Sequence, residues 1–284
     1  MSTILQLLYS VIIGIIQGVS EWLPISSKTQ IIVSSSYLLK LKSFQEAYTF
    51  GLFMEIGTII AAVVYFRKEL IEVLQVLLGS KNEAYRKLLV YVVVVTVITG
   101  IIGAPLYLVT ESVKGISLGI PMLIVGLVLL ADAAFIRYSR KRREKGINSR
   151  KLENLSLGDY LLIGIAQGIS ALPGVSRSGI TTSAMLLMNV EPDEAFRLSF
   201  FAGIFASIGA FGLTLVTTRS NVAAAVAVIG LPGLIVAIVV ATVVSLFLID
   251  FLIKVAGKSK IIYLISALGI IAMASGLLYL AIGL

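Results

Sequence analysis

Six stretches of this chain run for about twenty residues or more with at most one charged side chain each. They are residues 47–66, 88–109, 116–136, 195–217, 223–249 and 261–282. About twenty consecutive apolar residues is what a helix needs to cross the hydrocarbon core of a bilayer, so the pattern dictates an all-α integral membrane protein. Composition agrees: apolar residues make up 58% of the chain and charged residues 13%, where a soluble domain carries roughly 25%. A soluble domain, a fibre and a disordered chain are thereby excluded.

Two further apolar stretches, 4–39 and 158–190, are of another kind. The first is broken by Ser20-Glu21-Trp22-Leu23-Pro24-Ile25-Ser26-Ser27-Lys28 and the second by Pro173-Gly174-Val175-Ser176-Arg177-Ser178. Each reads as a re-entrant hairpin of two half-length helices, because broken backbone at membrane depth needs protein or a wet cavity around it. The first stretch has no basic segment ahead of it and no small-residue cleavage site before Glu21, so it is expected to remain in the mature chain.

Orientation follows from Lys and Arg. Of the 23, eight fall in 137–153, five in 67–87 and three in 250–260, whereas the opposite loops hold Lys40, Lys42, Lys114 and Arg219. The positive-inside rule then makes 137–153 a cytoplasmic loop and leaves both termini outside a multi-pass protein of the plasma membrane. The net charge of +8 resides in these loops, so nucleic acid is not an expected partner. The bilayer is the expected surroundings, and a homodimer is left open.

The chain also repeats itself. Residues 13–20 (Ile-Gly-Ile-Ile-Gln-Gly-Val-Ser) and 163–170 (Ile-Gly-Ile-Ala-Gln-Gly-Ile-Ser) agree at six of eight positions, and Leu23-Pro24 and Leu172-Pro173 follow. Each half holds one interrupted stretch and three full spans. Three is odd, so the second half enters from the opposite side: an inverted-topology repeat whose two hairpins meet at the midplane. The expected organisation is one polytopic domain, 1–284, with repeat one over 1–136, the basic loop 137–153 and repeat two over 154–284.

There is no cysteine and no histidine. Thiolate nucleophiles, disulfides and the usual neutral-pH base are absent, which leaves hydroxyls, carboxylates, Lys, Arg and backbone amides. Charge buried in a membrane marks function by default, and Glu21, Lys28 and Arg177 stand inside the interrupted segments. Arg177, flanked by Ser176 and Ser178 after Gly174 and one turn before Thr181, has the make-up of an oxyanion or phosphate cradle; the alternative is neutralisation of a buried acid. Ser26, Ser27, Lys28 and Thr29 form a second hydroxyl-rich loop, or else a helix cap. Glu21 lies one turn after Gln17 and is suited to hold a divalent cation or take a proton, or to pair with Lys28 or Arg177. Glu55 is a weaker candidate for the cavity wall, Asp132 reads as interfacial, and Glu191, Asp193 and Glu194 read as first-turn helix acids.

The run from Gln17 to Ser27 resembles the first signature of the undecaprenyl-pyrophosphate phosphatase family, of the bacitracin-resistance type, and the run from Pro173 to Thr181 resembles its second. The resemblance covers essentially the whole chain. It implies hydrolysis of a polyprenyl diphosphate lipid to the monophosphate, which recycles a glycan carrier. It also implies dependence on a divalent cation, Mg or Ca, and a site open to the outer face. Carried over by motif, Glu21 is the acidic catalytic or metal-associated residue, Ser27 the candidate nucleophile and Arg177 the phosphate ligand. Gln17, Ser26, Lys28, Gln30, Gly174, Ser176, Ser178 and Thr181 fall in the substrate-binding loops. Two positions depart from the family pattern: Gln17 stands where Glu is frequent, and Gln30 where His is usual. A Gln takes no proton at neutral pH, so Glu21 is the expected base, or a metal-bound water attacks directly. A polyprenyl-phosphate carrier, or a lipid-diphosphate binder with little hydrolysis, is the alternative function.

Overall fold

The structure, a computed structural model, describes residues 3–39, 44–112, 149–172, 174–217, 219–256 and 261–282, with scattered positions between 120 and 137. The described regular structure is helical. Ten helices are α1 (Thr3–Ser20), α2 (Ser27–Leu38), α3 (Phe44–Tyr65), α4 (Arg67–Leu77), α5 (Glu83–Ser112), α6 (Leu157–Ile169), α7 (Arg177–Leu187), α8 (Pro192–Thr217), α9 (Arg219–Ala256) and α10 (Ile261–Ile282).

Among the described residues, four helical segments are long and apolar enough to cross a membrane: Glu83–Val109, Pro192–Thr217, Ile229–Ala256 and Ile262–Ala281. A fifth is formed if Phe50–Tyr65 and Arg67–Leu77, bent by 74°, count as one span. The expected span over 116–136, Asp132 with it, and most of the basic loop fall largely outside the described residues. Local features mark two of the apolar runs. The run over 223–249 is interrupted at Gly230, whose φ of 67° no L side chain adopts cheaply, with Pro232 just beyond it. The helix is kinked there, and its apolar segment Ile229–Ala256 is long enough to cross a membrane. The run over 47–66 ends at the bend before α4, where Phe66 is buried. Outward faces stay apolar: Phe247 is 75% and Tyr263 78% exposed, as suits contact with lipid tails.

Both interrupted stretches are pairs of short helices. α1 and α2 flank the break at 21–26, and α6 and α7 flank the break at 170–176. α2 has 12 residues and α7 has 11, which at 1.5 Å per residue is roughly 17 Å, about half the bilayer core. Residues 149–159 strap the far ends of the second pair together. Arg150 donates to Asp159 at 2.5 Å and its backbone N–H to Asn189 O at 3.0 Å, while Ser149 donates to Glu191 at 2.7 Å. Asp193 and Glu194 are first-turn acids of α8, as expected, whereas Glu191 precedes the helix and instead meets Ser149 and Lys151.

The repeated Gly-x3-Gly positions explain how the pairs are seated. Gly14 and Gly18 of α1 lie against Ala237, Val240, Ala241 and Val244 of α9; their sequence counterparts, Gly164 and Gly168 of α6, lie against Val95, Ile98 and Ile102 of α5. Without side chains the backbones approach closely, as in membrane helix pairs generally. Each broken element thus docks on a long helix of the other half. A Cβ at Gly14 would lie 2.6 Å from Ala237 O, whereas one at Gly212 would meet nothing within 4 Å. Gly14→Ala is therefore expected to cost about 1–3 kcal/mol, seen as a lowered unfolding temperature in detergent, with Gly212→Ala showing no loss.

Candidate active site

The two breaks meet. From α1, the chain turns at Glu21 and is pinned by Trp22, which is buried and packs edge-on against Phe200 of α8 with ring centroids 4.9 Å apart. From α6, it turns through Gly174, whose φ is 86°, into Ser176, which caps α7 by accepting from Gly179 N–H at 3.2 Å. Ser178 Oγ donates to the backbone oxygen of Glu21 at 3.2 Å, and Ser176 Oγ to that of Leu23 at 3.4 Å.

At the centre Arg177 Nη2 donates to Glu21 Oε1 at 2.5 Å. The other carboxylate oxygen of Glu21 accepts from Ser27 Oγ at 2.6 Å and from Gln17 Nε2 at 2.9 Å. Arg177 Nη1 donates to Gly203 O at 2.8 Å and to Ser207 Oγ. Ser207 in turn donates to Glu55 Oε2 at 2.5 Å, and Lys28 Nζ lies 3.5 Å from Glu55 Oε1. Two acids and two cations thus form one continuous chain, Glu21–Arg177–Ser207–Glu55–Lys28, with Glu21, Glu55 and Ser207 all buried. Burying charge in this way is tolerable only because each ion is paired and hydrogen-bonded.

Geometry around Arg177 leaves donors in hand. Among the described residues its Nε–H and one Nη2 hydrogen have no acceptor, and a guanidinium edge of that kind suits a phosphate. The first turns of α2 and α7 come to the same place. Ser26, Ser27, Lys28, Val175, Ser176, Arg177 and Glu21 line a polar pocket of about 10 Å3, room for a single water. Helix N-termini present unpaired N–H groups and favour an anion. Ser26 enters α2 with a φ of 56°, a left-handed conformation that costs about 1–3 kcal/mol for a non-glycine residue. Its Oγ is 3.0 Å from Thr29 Oγ1 instead of capping the helix.

Of the residues singled out in the sequence, Gln17, Glu21, Ser26, Ser27, Lys28, Ser176, Arg177 and Ser178 converge here. Gly174 supplies the turn. Thr181 stands behind the site, donating to Arg177 O at 2.6 Å and lying 2.5 Å from Ser199 Oγ. Gln30 turns to its own loop and donates to Ile25 O at 3.3 Å. Glu55, a weaker candidate, is part of the charged chain. Gly203 and Ser207 were not singled out. A Cβ at Gly203 would sit 3.1 Å from Arg177 Cζ, and the available signal was two small residues one turn apart on a helix otherwise rich in Phe.

Divalent cations take six or more oxygen ligands, or, for Mg, one or two carboxylates completed by phosphates and waters. Among the described residues no group of three or more Asp, Glu, His or Cys converges. The donor set therefore fits a cation carried largely by phosphate oxygens, with Glu21 as its protein carboxylate, and does not fit a protein-only cage.

The bacitracin resistance protein BacA family model matches residues 10–274. The chain is 50% identical over 274 residues to the undecaprenyl-diphosphatase of Saccharolobus solfataricus, covering 96% of both. It is 43% identical over 280 residues to that of Sulfurisphaera tokodaii, covering 98% of this chain and all of the relative. A third, from Pyrobaculum aerophilum, is 39% identical over 269 residues, 94% of this chain and 96% of the relative.

Removing one member of the central pair strands the other. Arg177→Met is expected to destabilise by about 3–5 kcal/mol, and Arg177→Met combined with Glu21→Gln by clearly less than the two single losses together. A double-mutant cycle on unfolding in detergent reads that coupling.

Proposed function

This chain belongs to the bacitracin resistance protein BacA family, and we propose that it is a multi-pass membrane enzyme, an undecaprenyl-diphosphatase that releases phosphate from the lipid diphosphate and leaves the monophosphate. The observation that carries the reading is the Glu21 carboxylate held between the Ser27 hydroxyl at 2.6 Å and the Arg177 guanidinium at 2.5 Å. A candidate nucleophile and a candidate anion ligand are thereby each one hydrogen bond from the same candidate base.

Phosphoryl transfer asks mainly for positioning and charge stabilisation. Arg177, through its remaining donors, and the N-termini of α2 and α7 hold the terminal phosphate. Glu21 takes the proton of Ser27 Oγ as that oxygen bonds to phosphorus, and the bridging P–O bond breaks, with the electron pair leaving on the lipid monophosphate. Glu21 passes that proton to the leaving monophosphate and is a carboxylate again; it then takes a proton from the water that attacks phosphorus, the Ser27 Oγ–P bond breaks, and Glu21 returns the proton to Ser27 Oγ. A water in the place of the Ser27 oxygen reaches the same products in one step. A divalent cation, when bound, neutralises phosphate charge, with Glu21 as its protein ligand. Gln30 is no base, and in this account none is required there, since Glu21 is already on the nucleophile.

The same reading takes the two broken elements as an inverted repeat meeting at mid-membrane, with both termini and the site opening outside and residues 137–153 cytoplasmic. It is supported by the repeated sequence, by the seating of each element on the other half and by the one-sided distribution of Lys and Arg.

Purified protein is expected to release phosphate from undecaprenyl diphosphate, faster with added Mg or Ca. Ser27→Ala and Arg177→Ala should each lower the rate by about a hundredfold or more. Equal release by wild type and both variants would move the chemistry elsewhere.

A further inference from the structure

Lys28 and Arg177 line two spaces. One is the small polar pocket, and the other is a cavity of about 340 Å3 between α5, α6 and α8. That volume lies within the range of roughly 300–1,000 Å3 typical of small-molecule sites. Its end beside the charged chain is polar, with Glu55 and Ser207 in the wall; away from that end it is lined by small and apolar residues of α5 and α8.

Two features mark it as built to hold something. First, Gln167 is buried and donates to Thr99 Oγ1 at 3.2 Å, yet among the described residues its Oε1 has no hydrogen-bond partner, and neither has Thr96 Oγ1; both residues line the cavity. Gln167 is the sequence counterpart of Gln17. Gln17 spends its amide on Glu21, four residues on, but four residues after Gln167 the chain has Ala171. Its Nε2 turns instead to Thr99, and its Oε1 is left buried without a partner beside the cavity. Buried polar atoms of this kind call for a partner. Second, Gly100 and Gly209 stand exposed on the cavity wall, and a Cβ added at either meets no atom within 4 Å. A side chain at either position would meet open space, and no packing requires glycine there.

We propose that this cavity is the subsite for the isoprenoid chain next to the diphosphate, and that Gly100 and Gly209 set which chains enter. The inference rests on the phosphatase reading for its head group. An amphiphile with its phosphates between Lys28 and Arg177 has its first hydrocarbon units here. Apolar surface buried against Leu52, Phe205 and Leu213 supplies affinity, and side-chain bulk at the two glycines narrows the way in.

The test is equilibrium binding to purified wild type, Gly100→Leu and Gly209→Leu, read from the fluorescence of Trp22, the single tryptophan. The two probes are undecaprenyl monophosphate and inorganic pyrophosphate. Each leucine variant is expected to bind the lipid about tenfold more weakly and pyrophosphate within about twofold of wild type. Equal weakening of both probes, lipid binding unchanged in both variants, or no saturable lipid binding by wild type overturns the proposal. Wild-type protein that shows the expected binding pattern but releases no phosphate from undecaprenyl diphosphate upholds the subsite and overturns the phosphatase reading alone.

Discussion

The contact between Glu21 and Arg177 joins two loops 156 residues apart in sequence, and the rest of the structure is arranged so that this contact can exist where it does. A carboxylate and a guanidinium taken out of water lose several kcal/mol of solvation each. Gln17 and Ser27 on one side and Gly203 and Ser207 on the other restore hydrogen bonds to the pair. Those partners need α1 and α8 to pass within reach, which the glycine contacts and Trp22 against Phe200 secure. The second pair, Lys28 with Glu55, is tied to the first through Ser207, so charge is balanced within one buried cluster.

That arrangement serves chemistry better than it serves stability. Replacing a buried ion pair by apolar groups of similar size is often neutral or stabilising. The left-handed Ser26, the uncapped start of α2 and the spare donors of Arg177 are costs of the same kind. All three are features that a phosphate-sized anion would relieve, by engaging unpaired N–H groups at the helix ends and the free donors of Arg177. The largely apolar cavity beside Lys28 and Arg177 would extend the same logic to a ligand with a hydrocarbon end.

Much of this was legible in the sequence because membrane helices announce themselves by length and hydropathy. The interrupted stretches announce themselves by Pro, Gly and charge at an apolar depth, which singles out Glu21, Lys28 and Arg177; Ser27 stands out only by its hydroxyl-rich loop and the family resemblance. The joining of the loops was legible only as a repeat, since nothing local states which element Arg177 meets. Ser207 and Gly203 escaped because a serine and a glycine in an apolar helix are ordinary; what distinguishes them is a neighbour 26 to 30 residues away. The break at Gly230 lay hidden in a continuous apolar run, where hydropathy is blind to φ. Lys28 was assigned to the phosphate loop, but its pairing with Glu55 depends on how α2 packs against α3, which no spacing rule supplies.

The most direct measurement is a structure of the protein with a methylene-bridged diphosphonate analogue of undecaprenyl diphosphate. The terminal phosphonate should lie within hydrogen-bond reach of Arg177 and of Ser27 Oγ, between the N-termini of α2 and α7, with Glu21 still on Ser27. An analogue seated elsewhere, with the Glu21, Ser27 and Arg177 cluster closed as it is here, would contradict the account.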